Sequence, residues 1–253
     1  MKNLLIYINP EKRFVGENDD RIKIQIDNSL DLGWKHEDII LVTNFKYEYN
    51  GVKSIIVDDS YYRDFDNKSG KISVILYLLK ENIVREGELW WFHDLDAYQV
   101  YPITKEEVDL GETLAGFTDY GWKDYWNTGS IFFKKGSNKI FEWMENVFDQ
   151  KKINEEPALM YLTKKNYKNI NSMYKKVNTT YNLAASESGH RNLHITTEKA
   201  TKPIKVIHFG PIVYKDINYL DINRGNNRLK ICLISDRLLK IFKKHLPQLC
   251  TNL

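Results

Sequence analysis

Runs of contiguous apolar residues alternate with helix-period segments through the first hundred positions. Residues 4–8 read Leu-Leu-Ile-Tyr-Ile and are closed by Asn9-Pro10, which predicts a buried strand. Ile22, Ile26 and Leu30 recur at four-residue spacing, predicting a helix over 18–32 that Gly33 stops. Two more buried strands are predicted, one over 38–45 around Ile39-Ile40-Leu41-Val42 and one over 53–58 around Ile55-Ile56-Val57. Ile72, Ile75, Leu76 and Leu79 form the inner stripe of a helix that begins near Ser69. A fourth strand over 88–95 carries Trp90-Trp91-Phe92. Beyond residue 100 the pattern is mixed. It predicts short strands over 114–117 and 130–133, helices over 138–148 and 155–164, a late strand over 205–209 and a terminal helix over 228–244 with a basic outer face. No repeat, low-complexity tract or linker divides the chain. The expectation is one α/β domain over residues 1–253, Rossmann-like, with a mostly parallel sheet, helices on both faces and an irregular second half.

Composition narrows the function classes. With 42% hydrophobic and 28% charged residues, the chain is neither disordered nor collagen-like nor a membrane bundle. No stretch approaches the roughly 18 apolar residues of a membrane span, and the N-terminal apolar run is too short for a signal segment. A net charge of +3 is too balanced to point to nucleic acid. The two cysteines, Cys232 and Cys250, make no disulfide framework and no four-ligand zinc site. These features predict a soluble, cytoplasmic protein; they are silent on oligomeric state.

Chemistry concentrates where the fourth strand runs into Asp94-Leu95-Asp96. In an extended chain, residues i and i+2 project to one side, so both carboxylates would meet at the strand's carboxyl end. That end is where open α/β sheets bind ligands. Adjacent carboxylates repel, and a divalent cation with oxygen ligands relieves them; two solvated loop aspartates are the plainer alternative. Three other segments bear on the choice. Trp126-Asn127-Thr128-Gly129-Ser130 offers amide, hydroxyl and backbone groups suited to a hydroxylated ring, or simply makes a turn. His208 ends an apolar run and is either a structural histidine or the third ligand of a metal site. Glu155 and Glu156 open a helix just ahead of Pro157, where acidic residues also serve as ordinary dipole compensation. Trp122, Tyr125 and Trp126 around Asn127 suit either stacking on a sugar or core packing. Tyr61-Tyr62-Arg63 is either a diphosphate contact or plain loop surface.

Taken in order, these segments resemble the nucleotide-sugar-dependent glycosyltransferases of the GT-A fold, over roughly residues 1–212. The resemblance implies a nucleotide-binding half over 1–100, a donor-sugar and acceptor half over 101–212, and a helical extension over 213–253 that carries no family motif. It also implies the site. Asp94 and Asp96 look like the Asp-X-Asp pair, and with His208 they would hold Mn²⁺ or Mg²⁺, Asp96 being the firmer ligand and Asp94 meeting ribose or metal. Asn127, Thr128 and Gly129, with Trp126 beside them, resemble the segment that lines the donor sugar. Tyr7, Ile8 and Asn9 would border the nucleobase, Lys71 would contact the nucleotide, and Asp58 would meet base or ribose. Glu155 and Glu156 stand where inverting members carry a catalytic base and other members bind hydroxyls. The partners so implied are a nucleotide-sugar donor, UDP-sugar favoured, and a glycan or glycoconjugate acceptor.

Two departures from the retaining galactinol- and glycogenin-like pattern leave stereochemistry open. Pro211-Ile212-Val213-Tyr214-Lys215 follows His208-Phe209-Gly210 in place of a segment leading to Lys-Pro-Trp, and Glu155-Glu156 replaces an acidic-Gln motif. Two other classes compete with the transferase. A metal-dependent nucleotidyltransferase or phosphohydrolase would use the same aspartates, but neither GxxxxGK[ST] nor GxGxxG occurs in the sequence. A non-catalytic binding module would use the basic terminal helix, with Lys230, Arg237, Lys240, Lys243 and Lys244, on an acidic surface; such a face is more commonly just solvated.

Overall fold

The apolar run near the N-terminus becomes an inner strand of an eight-stranded sheet in a computed structural model, which describes residues 1–64, 70–121, 125–184, 197–208 and 235–247. In chain order its strands are β1 (Lys2–Tyr7), β2 (Ile39–Thr43), β3 (Glu48–Tyr49), β4 (Val52–Ile56) and β5 (Trp90–His93). After β6 (Ala97–Gln99), which leaves this sheet, come β7 (Ala115–Asp119), β8 (Trp126–Phe133) and β9 (Tyr174–Lys176). The spatial order is β3-β4-β2-β1-β5-β8-β7-β9. Strands β4, β2, β1 and β5 run parallel, and β8 runs antiparallel to both its neighbours. The predicted mostly parallel α/β sheet is therefore present.

Alternation along the central strands sends side chains to two cores, as a period of two requires. Leu4, Trp90, Phe92, Ile131 and Phe133 face one side, where they meet α2 (Gly70–Lys80) and, after the short α3 (Lys105–Val108) in the chain, α4 (Asn138–Lys151) and α5 (Glu155–Lys164). Leu5 faces the other side and packs with Ile22 and Ile26 of α1 (Asn18–Asp31). Trp91 and Phe132 fill a third cluster on that side. Helices thus cover both faces. The last described helix, α6 (Asp236–His245), lies on α1, and Ile24 joins Leu238 and Phe242 in a separate cluster. Arg237 donates to Asp31, while Lys244 and His245 both reach Asp27. Part of the predicted basic outer face is therefore paired with acids of α1. Residues 228–234 of the predicted terminal helix, with Lys230, lie outside the described residues, as do Trp122, Cys232 and Cys250. Among the described residues, no helix is long and apolar enough to cross a membrane.

Two features that position the site differ from the sequence reading. Strand β8 begins at Trp126 rather than Ser130, so Asn127-Thr128-Gly129 lies inside a strand. Its pairing with β7 jumps from Phe117↔Ile131 to Thr118↔Asn127, leaving residues 128–130 as a bulge. Bulges re-aim side chains and gather next to active sites. In addition, β10 (Leu183–Ala184), β11 (Val206–His208) and β6 form a second sheet of three strands. These are too short for a periodic signal. Register in this small sheet sets His208 opposite Ala97, next to the aspartates.

Candidate active site

Beyond His93 the chain leaves the large sheet through a turn, in which the Ala97 N–H donates to the Asp94 carbonyl (3.0 Å). The aspartates thus reach the same space across a turn, not along the extended segment the sequence predicts. Two bonds fix the turn from outside. The Asp94 N–H donates to the Gly129 carbonyl of the bulge (2.9 Å). The Gln25 amide of α1, fully buried, donates to the carbonyls of Leu95 and Ala97, both at 3.0 Å, and so straddles Asp96.

His208 meets this turn from β11. Its Nε2 lies 3.2 Å from Asp96 Oδ1 and 4.0 Å from Asp94 Oδ2. One ligand atom from each of Asp94, Asp96 and His208 falls within 4.8 Å of the others. Beneath the ring lies Gly129, where an added Cβ would overlap Cε1 and Nδ1 of His208. Only glycine allows that approach. Burial pushes the Asp94 carboxyl up and the charge of Asp96 adds to it, so that its pKa is raised despite Lys71. For Asp96, burial is outweighed by His208 and by Arg21, and its pKa is lowered. Burial likewise disfavours the charged form of His208, but the Asp96 carboxylate outweighs it and the pKa is raised.

Lys71, in the first turn of α2, is tied into this group. Its Nζ lies 3.0 Å from Asp94 Oδ1 and 3.0 Å from Glu155 Oε1, and it donates to the Thr128 carbonyl at 3.2 Å. The Thr128 hydroxyl donates to Glu155 Oε1 (2.9 Å). Burial opposes ionisation of Glu155, but Lys71 and Thr128 outweigh it and hold its pKa low. The next residue behaves oppositely. Glu156 accepts from the Tyr120 hydroxyl and the Thr128 N–H, each at 3.2 Å, yet burial dominates and raises its pKa. Two sequence-adjacent carboxyls thus occupy one helix start with different proton affinities, an arrangement that separates roles.

A cleft of about 600 Å³ opens above these groups at the carboxyl ends of β1 and β5. Tyr7, Ile8, Asn9, Lys71, Asp94, Asp96, Asn127, Glu155, Glu156 and His208 all line it. Other residues singled out in the sequence do not. Trp126 turns into the core, donating to Thr163 Oγ1 (2.9 Å) and meeting Phe117 and Tyr174 edge-on. Asp58 is exposed after β4 and accepts from the Ser60 N–H (2.9 Å). Thr128 and Gly129 form the cleft's scaffold, beneath Glu155 and His208 respectively. Arg63 pairs with Glu145 and Asp149 on α4. The cleft also takes in Val15, Asn18 and Arg21 from the start of α1, and Tyr120 after β7. Periodicity marks the buried stripe of α1, not which polar residue beside it faces a distant strand end.

No family model matches the sequence, and no curated protein matches it significantly. Solved structures do match in three dimensions. The galactosyltransferase LgtC, in complex with donor and acceptor sugar analogues, shares 13% identity over 96% of each chain, with a TM-score of 0.58. A glycosyltransferase involved in glycosylation of the major capsid of PBCV-1 shares 11% identity over 82% of this chain and 93% of its own, with a TM-score of 0.52. Mouse xyloside xylosyltransferase 1 shares 11% over 83% and 97%, with a TM-score of 0.51. At these identities the likeness is one of architecture, and the architecture is the GT-A fold of glycosyltransferases.

Proposed function

We propose that the chain is a metal-dependent glycosyltransferase that moves a sugar from a nucleoside-diphosphate donor, UDP-sugar favoured, to a hydroxyl of a glycan or glycoconjugate. One observation carries this reading: Asp94, Asp96 and His208 converge within 4.8 Å at the edge of a cleft, on a fold shared with glycosyltransferases. Two carboxylates and an imidazole suit Mn²⁺ or Mg²⁺. Burial raises Asp94 and the neighbouring Asp96 carboxylate adds to it, and a bound cation would offset both. When bound, such an ion neutralises charge on the diphosphate as it leaves.

The chain's own residues supply the rest. Tyr7, Ile8 and Asn9 line the cleft at the carboxyl end of β1, the strand beside β5, and would receive the nucleoside. Asn127 lines the same cleft, its side-chain oxygen accepting from the Gly129 N–H (3.0 Å), and would meet the donor sugar. In the transfer, the acceptor oxygen bonds to the anomeric carbon as the bond from that carbon to the diphosphate oxygen breaks. The acceptor's proton needs a base within hydrogen-bond reach. Glu155 is committed to Lys71 and Thr128, whereas Glu156 has the higher proton affinity and accepts from the Tyr120 hydroxyl and the Thr128 N–H. Glu156 is therefore the candidate base, with the stereochemistry of transfer left open.

Calorimetric titration of UDP with and without Mn²⁺ tests the reading, with GDP as the second nucleotide. Metal-dependent binding that vanishes in Asp96→Ala, followed by UDP-sugar turnover, supports it. Nucleotide-sugar cleavage that releases inorganic phosphate would favour a phosphohydrolase instead. Absence of binding to either nucleotide rejects it.

A further inference from the structure

Strand β6 follows the Asp-X-Asp turn directly, and it is the edge of the three-stranded sheet, paired with β11 along one side. Side-chain amides from α1 serve its other side in place of a neighbouring strand. Gln25 donates to the carbonyls of Leu95 and Ala97, both at 3.0 Å. Asn28, three residues on and so on the same helix face, donates to the Gln99 carbonyl (2.9 Å). Arg237 of α6 in turn donates to Asn28 Oδ1 (2.8 Å). Gln25 is less evenly matched. Its Nε2 commits both hydrogens to the turn, while its Oε1 is buried and finds no partner among the described residues. A buried acceptor without a donor costs stability. What the side chain supplies is therefore the grip of its two N–H groups.

That grip falls on two of the three residues of the candidate metal site. The Leu95 carbonyl belongs to the planar peptide unit that ends at the Asp96 nitrogen, so holding it fixes how the chain enters Asp96. Ala97 lies opposite His208 in the register of β6 and β11. One buried amide thus ties the peptide before Asp96 to the residue facing His208, where Asp96 Oδ1 and His208 Nε2 stand 3.2 Å apart. We propose that Gln25 is a positioning residue that sets Asp96 against His208 and so tunes the affinity of this site for a divalent cation. It touches neither donor nor metal, and acts through the turn. This inference rests on the reading of Asp94, Asp96 and His208 as a cation site.

The test measures Mn²⁺ affinity by electron paramagnetic resonance, and UDP affinity by calorimetry at low and saturating Mn²⁺. It compares the wild type with Gln25→Met, which keeps the length and loses both donors, and with Ile26→Val, which loosens the opposite packing of the same helix. Gln25→Met is expected to weaken Mn²⁺ by about 10- to 100-fold, the effect of losing an outer-shell partner, and Ile26→Val to leave it unchanged. UDP affinity in Gln25→Met should fall at low Mn²⁺ and return to the wild-type value at saturating Mn²⁺, which a merely loosened fold would not do. Gln25→Asn keeps the amide but is one methylene too short for both carbonyls; it should also weaken Mn²⁺, and it carries the test if Gln25→Met does not fold. A loss of Mn²⁺ affinity no greater than that of Ile26→Val, or a UDP deficit that persists at saturating Mn²⁺, overturns the assignment and leaves the transferase reading standing. A wild-type protein that binds Mn²⁺ neither alone nor with UDP overturns both.

Discussion

Lys71→Met removes one ammonium and keeps most of the side chain's volume, which isolates the charge it carries. The ammonium is 3.0 Å from carboxylates on two different elements, with side-chain exposures of 7% for Lys71 and 4% for Glu155. Without it, Glu155 keeps the Thr128 hydroxyl but loses its counter-charge. Breaking one side of a buried ion pair costs about 3–5 kcal/mol. For a protein of this size that lowers Tm by about 6–20 °C. Adding Glu155→Gln removes the stranded charge, so the double variant should recover at least about 1–2 kcal/mol relative to Lys71→Met. The pH dependence has a defined sign. Glu155 has a lowered pKa, so its share of stability is present above the ordinary carboxylate value near 4.5 and is lost as pH falls through the folded value. The deficit of Lys71→Met should therefore be largest at neutral pH and should shrink on acidification. Urea unfolding of wild type, both single variants and the double variant, at pH 7 and pH 4 without metal, measures all of this. A Lys71→Met cost under about 1 kcal/mol, or purely additive effects in the double variant, would refute the reasoning.

Two further outcomes follow from the same geometry. Gly129→Ala places a methyl group where the His208 ring lies; Mn²⁺ affinity, read by electron paramagnetic resonance, should fall about 10- to 100-fold while the circular dichroism spectrum stays the same. Glu156 has a raised pKa, so its contribution to stability declines as pH rises through the window above 4.5. Glu156→Gln should accordingly melt higher than wild type at pH 7.5 and alike at pH 4, and should lose about 10²- to 10⁴-fold in transfer rate. A lower Tm at pH 7.5 would show that Glu156 is ionised and well paired.

The sequence made the sheet legible wherever apolar runs were continuous. Strands β1, β2 and β4 and helices α1 and α5 lie within a few residues of their predicted spans. Asp94, Asp96 and His208 could be singled out because each ends an apolar segment, and the structure brings them together. What stayed hidden depends on register between distant segments. The bulge at 128–130 turns Trp126 into the core, a reversal that no alternation pattern reveals. The three-stranded sheet that carries His208 to Ala97 is built from strands of two or three residues. The family resemblance makes Lys71 a nucleotide contact; only coordinates show that Asp94 and Glu155 already hold it. Asp58 closes a strand in the same manner as Asp94, but its own chain turns back on it.

The central claim is that Asp94, Asp96 and His208 form a cation site for a nucleotide-sugar donor. Its most direct test is anomalous diffraction near the manganese edge from a crystal grown with Mn²⁺ and UDP. The account predicts one strong peak within coordination distance of all three side chains, bridged to diphosphate oxygens. UDP bound in the cleft with no metal peak among these residues, or a peak elsewhere, would contradict it.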